Sequence, residues 1–197
     1  GPRVSSAPIM GTTSVETSAH SPAFRTRRFL NWFPLGLTYA LLYMGRYNLT
    51  ISKDVFEEMP AGDGGVLMGN DDFGWIFGIG TYVYGFSFLL NGPLTDRYGG
   101  KFSILMGAGG AAVANLLMGL AAWTLVNKGL GHEFIAGHFL AVFAVLYSIN
   151  MYFQSFGAVA IVKVNAPWFH VRERGVFGAI FGVLISLGIY FAFDVGM

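Results

Sequence analysis

The sequence contains no cysteine and few charged residues. Without cysteine the chain can form no disulfide framework, no thiolate metal site and no cysteine nucleophile. Charged residues make up 12% of the 197 residues and the formal net charge is +1, so no basic stripe is available for nucleic acid. Hydrophobic residues, in contrast, make up 54%, and the mean hydropathy is +0.55. A chain of this composition is expected to fold in a lipid bilayer.

Signatures of common enzyme sites are also missing. The sequence has no P-loop, no G-x-G-x-x-G fingerprint, no G-x-S-x-G nucleophile elbow and no H-E-x-x-H zinc motif. His132, His138 and His170 are isolated and lack the paired spacing of zinc or haem ligands. We therefore expect neither an enzyme nor a bound metal or other cofactor.

Five apolar segments follow a polar N-terminal stretch. Residues 1–28 are rich in Ser, Thr, Gly and Pro and are expected to form a cytosolic tail. Each later segment is close to the roughly 20 residues that cross a bilayer as a helix, and none shows the alternation of a membrane β-barrel strand. We predict an all-α membrane protein in which residues 29–197 form the transmembrane domain. The predicted helices cover residues 29–52, 73–92, 102–126, 134–163 and 175–194.

Basic residues mark one side of the predicted membrane. Lys and Arg are enriched in the cytosolic loops that flank transmembrane segments. Here they lie before the first segment, between the second and third, and between the fourth and fifth, whereas the connection from the first to the second is mainly acidic. The N-terminus is therefore predicted to be cytosolic. Five spans would leave the C-terminus outside without a polar tail, so we also expect the chain to be truncated there.

A glycine-rich signature lies between the second and third segments. Residues 91–101 read NGPLTDRYGGK and resemble the loop signature G-x-L-x-D-R-x-G-G-[KR] of the major facilitator superfamily. The resemblance implies five helices of an N-terminal six-helix bundle and a conformational latch at this loop. The alternative is a turn with solvated charges, because exposed ion pairs contribute little energy. The implied latch residues are Gly92, Asp96, Arg97, Gly99, Gly100 and Lys101, with Lys163 as the partner of Asp96.

Further fragments are similar to the organophosphate:phosphate antiporter branch of that superfamily, which includes the glycerol-3-phosphate transporters. This resemblance implies that Arg46 binds substrate. Phe88 and Ile185 depart from the branch, which has a lysine and a histidine there. A phosphate-containing anion, a monocarboxylate and a loss of transport all remain open. The fragments are Tyr39-Ala40, Tyr43, Arg46-x-Asn48, Tyr84-Gly85-Phe86-Ser87, Phe153-Gln154 and Trp168 with 172–175.

Arg46 is the one Lys or Arg that lies well inside an apolar segment. An ionised side chain in hydrocarbon is costly unless it faces a polar cavity or a partner. Tyr39 and Tyr43 share its helix face by their spacing, and a guanidinium suits bidentate binding of phosphate or carboxylate. The alternative is that Arg46 lies near the helix end and snorkels to the interface.

Polar residues on other segments are further candidates for the lining of an anion site: Tyr84, Asn150 and Gln154. For these residues, plain hydrogen bonding between helices is an equal alternative.

Two functions are compatible with these features. The first is a secondary active transporter for a small anion, which would need a C-terminal half or partner membrane subunits to complete its site. The second is an accessory or scaffold subunit in a larger membrane complex. In both cases membrane lipid is a partner, nucleic acid is not, and a bacterial inner membrane is the default location.

Overall fold

The structure, a computed structural model, describes residues 21–61, 64–170 and 173–195. Regular structure in these ranges is helical, which confirms the predicted all-α membrane fold. Most of the predicted tail, together with Asp63 and Arg172, lies outside the described residues. The elements are α1 (Pro22–Glu57), α2 (Asn70–Tyr98), α3 (Gly100–Val126), a short α4 (His132–Gly137), α5 (Phe139–Asn165), a 3-10 turn (Ala166–Trp168) and α6 (Arg174–Val195).

Helix α1 begins before its apolar segment does. Ser21 caps it by accepting a hydrogen bond from the backbone N–H of Phe24 at 3.3 Å, and Pro22 occupies the first turn. Both are favoured at helix starts because the first N–H groups have no partner within the helix. The predicted fourth segment also differs, because non-helical backbone at His138 separates α4 from α5.

Four helices in the described part of the chain are long and apolar enough to cross a membrane: α2, α3, α5 with its 3-10 turn, and α6. Helix α1, the first of the five predicted spans, is long enough at 36 residues but is less apolar. Asn31, Pro34 and Arg46 lower its hydropathy. A helix that carries such groups needs polar partners inside the protein.

Helix α5 lies at the centre of the bundle. It packs along α3 on one side and α2 on the other, while α1 contacts α5 and α3 and forms a pair with α6. Small residues bring these helices close, as is usual in membranes. A Cβ atom on Gly107 of α3 would lie 3.0 Å from the backbone N of Gly157 and 3.2 Å from the carbonyl O of Phe153, both on α5. The α3–α5 contact is therefore backbone to backbone at this point.

The bundle has two chemically different ends. We call the end where α1 and α6 begin and α2 meets α3 the basic end, and the end where α1 finishes and α2 begins the acidic end. An apolar cluster that includes Phe56, Met68 and Phe143 closes the acidic end. At the basic end, Nη1 of Arg28 donates to both carboxylate oxygens of Glu173, at 3.0 and 3.2 Å, and joins α1 to the segment before α6.

The α3–α5 contact gives a testable prediction. Gly107→Ala should destabilise the protein, because backbone on α5 cannot move aside as a flexible side chain could, and overpacking costs about 1–3 kcal/mol. Gly109→Ala is the matched control, since nothing lies within 4 Å of its Cβ position. Thermal unfolding in detergent should show a lower midpoint for Gly107→Ala alone. Equal midpoints would contradict the close approach.

Candidate functional site

Arg46 reaches the middle of the bundle. Its Nε donates a hydrogen bond of 2.9 Å to Oε1 of Gln154, which is fully buried halfway along α5. The hydroxyl of Tyr147, also on α5, donates to the backbone carbonyl of Arg46 at 3.5 Å. The guanidinium is thus held by the centre of α5 and does not snorkel toward the acidic end. The side chain of Arg46 therefore points into the bundle toward α5.

Two tyrosine rings flank the guanidinium. Cζ of Arg46 lies 4.5 Å from the ring centroid of Tyr43 on α1 and 4.6 Å from that of Tyr84, midway along α2. Such cation–π contacts contribute about 0.5–2 kcal/mol each, depending on solvation. Tyr39 completes the row by meeting Tyr43 edge to face at 5.1 Å. The guanidinium therefore lies against aromatic rings from both α1 and α2.

A chain of side-chain amides continues from Gln154 across three helices. Nε2 of Gln154 donates to Oδ1 of Asn150 at 3.0 Å, and Nδ2 of Asn115 on α3 donates to the same oxygen at 3.2 Å. Nδ2 of Asn48 on α1 donates in turn to Oδ1 of Asn115 at 3.1 Å. Asn150 is fully buried, yet its Nδ2 has no hydrogen-bond partner among the residues that the structure describes.

The terminal nitrogens of Arg46 are the available donors of this site. Nε is bonded to Gln154, but neither Nη1 nor Nη2 forms a hydrogen bond with any residue that the structure describes. A half-buried guanidinium with both Nη groups available is an arrangement that can bind a carboxylate or phosphate in a bidentate way. All six sequence-predicted site residues, Tyr39, Tyr43, Arg46, Tyr84, Asn150 and Gln154, therefore lie together.

The glycine-rich loop forms a second polar site at the basic end. Nζ of Lys163, near the end of α5, forms an ion pair with Asp96 and also donates to the carbonyl O of Gly92 at 2.9 Å. Gly99 connects α2 to α3 with φ of 85°, a conformation that favours glycine. At Gly100 a Cβ atom would collide with the side chain of Val164 on α5. The loop is thus tied to α5 by charge and by close packing.

The other two predicted latch residues do not join this contact. Arg97 is exposed and its guanidinium lies 5.5 Å from the ring of its neighbour Tyr98. Lys101 is exposed as well, and neither side chain is paired with another helix within the described residues.

Sequence reasoning missed Asn115. An amide within an apolar membrane helix is itself a signal, because it needs a hydrogen-bond partner there. Its partner could not be read from the sequence, since nothing in the spacing indicates that α3 faces Asn150.

The family described as the Major Facilitator Superfamily matches residues 28–195. The chain is similar to a protein of Salmonella typhimurium named membrane sensor protein UhpC, with 24% identity over 139 residues that cover 71% of this chain. The chain spans 26% of that relative's length. No solved structure matches.

The two polar sites should differ in their contribution to stability. Gln154→Leu removes the acceptor of Arg46 Nε and a donor to Asn150 inside the bundle, which should lower the free energy of unfolding by about 1–3 kcal/mol. Asp96→Asn breaks a pair whose side chains are 70% and 33% exposed, so the loss should stay below about 1 kcal/mol. Equilibrium unfolding in detergent measures both, and a larger loss for Asp96→Asn would contradict this ranking.

Proposed function

Because this chain belongs to the Major Facilitator Superfamily, we propose that it forms part of a secondary active transporter that carries a small organic or phosphate-containing anion by alternating access. Its family and its apolar helices make it an integral membrane protein.

The observation that carries the proposal is the guanidinium of Arg46. It is held at Nε by Gln154 and lies beside two tyrosine rings, while Nη1 and Nη2 stay available. Such preorganisation favours binding, because little side-chain freedom is lost when the anion arrives. The resemblance of the surrounding fragments to the organophosphate:phosphate antiporters agrees with an anionic substrate and with exchange of one anion for another.

The charge of the site favours a substrate with a single anionic group. Phe88, where the resembling branch has a lysine, follows Tyr84 by one helical turn on α2 and so shares its face. Ile185, where the branch has a histidine, lies half-buried on α6. Both departures remove a cationic or titratable group. We therefore place a monocarboxylate or a singly charged phosphate compound ahead of a dianionic phosphate ester.

The ion pair between Lys163 and Asp96 is the contact that would form and break as the protein changes between its two access states. It joins the α2–α3 loop to the end of α5, and α2 and α5 also carry Tyr84 and Gln154 of the anion site. Because exposed ion pairs are weak, this one can form and break during a cycle at little cost in energy. In the proposed mechanism it stabilises one of the two access states, and the anion shifts the balance between them.

The remainder of the transporter would come from additional polypeptide or from partner membrane subunits. An anion held by Arg46 needs a second wall, and alternating access requires two bundles that move against each other. We place the protein in a bacterial cell membrane with the basic end in the cytosol. The positive-inside rule and the bacterial relative support this location and orientation.

A second candidate is an anion sensor that binds without carrying. The printed name of the relative, a membrane sensor protein, favours it. Like the accessory or scaffold subunit that the sequence left open, it would not transport, but it would bind an anion. In this candidate the Arg46 site also binds the anion. The sensor differs from the transporter only in that binding is not followed by movement of the anion across the membrane.

Arg46→Lys tests the proposed anion site. Lysine keeps the positive charge but loses the planar, bidentate donors, so binding should weaken by about tenfold or more, the value of one or two charged hydrogen bonds. The measurement is uptake of labelled inorganic phosphate, glycerol 3-phosphate and lactate by proteoliposomes that contain the full-length protein. Arg27→Lys, an exposed position on the same helix, is the matched control.

The outcomes separate the two candidates. Uptake that falls in Arg46→Lys but not in Arg27→Lys supports the transporter. Binding of one of these anions without uptake, lost in Arg46→Lys, supports the sensor. Undiminished uptake by Arg46→Lys would overturn the role of Arg46 in either function.

A further inference from the structure

We propose that Asn115 of α3 is a positioning residue for Arg46, and that it acts through the amides of Asn150 and Gln154. The inference rests on the proposed anion site and extends it to a helix that does not touch the guanidinium. Its basis is the unbroken hydrogen-bonded path from Asn115 to Asn150, Gln154 and Nε of Arg46, with steps of 3.2, 3.0 and 2.9 Å.

The path has a fixed direction. Nε of Arg46 can only donate, so Gln154 must turn its oxygen toward Arg46 and its nitrogen toward Asn150. Asn150 must then offer its oxygen to Gln154. Asn115 donates to that same oxygen, and two donors on one oxygen prevent Asn150 from turning over. Asn115 thereby stabilises the one orientation in which Gln154 presents an acceptor to Arg46.

The unpaired Nδ2 of Asn150 indicates that the orientation of this amide is fixed by the residues that donate to its oxygen. The buried nitrogen has no partner within the described part of the chain, which costs about 1–3 kcal/mol. If Asn150 turned over, Nδ2 would face two other donors and the hydrogen bonds from Gln154 and Asn115 would be lost. Without Asn115, Asn150 loses one of the two donors that hold its oxygen and can turn over at a lower cost in energy. Its amide nitrogen would then meet Nε2 of Gln154, and this donor–donor contact would weaken the hold of Gln154 on Nε of Arg46.

The packing of α1 against α3 keeps Asn115 in place. A Cβ atom on Gly45, the residue before Arg46, would lie 3.0 Å from Nδ2 of Asn115. Asn48 of α1 also donates to its oxygen at 3.1 Å. The Asn115 amide is therefore held between α1 and α5. A methyl group at position 45 would displace Nδ2 of Asn115, the atom that donates to Asn150.

The experiment uses the full-length protein and two measurements. The first is the KM and kcat for uptake of inorganic phosphate into proteoliposomes. The second is the rate at which phenylglyoxal modifies Arg46, followed by peptide mass spectrometry, which reports on the guanidinium without any substrate. The variants are Asn115→Leu, Asn115→Gln and Gly45→Ala. Gly109→Ala, with open space around its Cβ position, is the control.

A positioning role predicts that Asn115→Leu raises KM by about tenfold with kcat nearly unchanged, and that it raises the modification rate of Arg46 severalfold. Asn115→Gln keeps an amide and should show a smaller rise in both quantities. Gly45→Ala should raise KM and the modification rate of Arg46, as Asn115→Leu does. In a Gln154→Leu background, Asn115→Leu should add nothing, because the path is already interrupted.

Two results would overturn the inference: an unchanged modification rate in Asn115→Leu, or full additivity with Gln154→Leu. The proposed phosphate substrate fails if the wild-type protein does not take up phosphate. The positioning role still stands in that case, provided that Asn115→Leu alters the modification rate of Arg46 and that Gln154→Leu masks this change. The two proposals therefore fail separately.

Discussion

The guanidinium of Arg46 can donate hydrogen bonds but cannot accept one, and the polar centre of the bundle is organised by this constraint. The constraint determines which way Gln154 turns and, through it, which way Asn150 turns. It also explains why the flanking groups are tyrosine rings, whose faces attract a cation without satisfying its N–H groups. The bilayer strengthens the constraint, because no bulk water is available to replace a lost partner.

The proposed anion site and the loop contact share two helices. On α5, Gln154 and Lys163 are nine residues apart, about 14 Å along the axis at 1.5 Å per residue. On α2, Tyr84 belongs to the site, while Gly92 and Asp96 belong to the loop contact. A rigid shift of α2 against α5 would thus change both places at once. This shared support is a physical route by which occupancy at the centre can affect contacts at the basic end.

The helical membrane fold and the shared face of Tyr39, Tyr43 and Arg46 were predictable, because apolar length, helical spacing and the cost of an intramembrane charge are local properties. That Tyr84 and Gln154 meet Arg46 from other helices did not follow from spacing, and the sequence left these residues open between an anion site and plain bonding between helices. It did not predict the start of α1 at Pro22, since capping groups outside the apolar segment decide that boundary. Asn115 was missed because its partner comes from another helix. Arg97 was assigned to the latch by resemblance, but its side chain turns to Tyr98. Interactions across helices were therefore the least predictable part.

The unpaired nitrogen of Asn150 has a consequence for sequence divergence. The side chain at position 150 must accept hydrogen bonds from two donors, so a change at position 115 changes the number of donors that it meets. A change at position 150 likewise removes the acceptor of the side chain at position 115. Among relatives that keep an arginine at position 46, these two positions should covary across α3 and α5 instead of drifting independently. The residues at these two positions would then indicate, from sequence alone, whether a relative keeps the hydrogen-bonded path that holds the arginine.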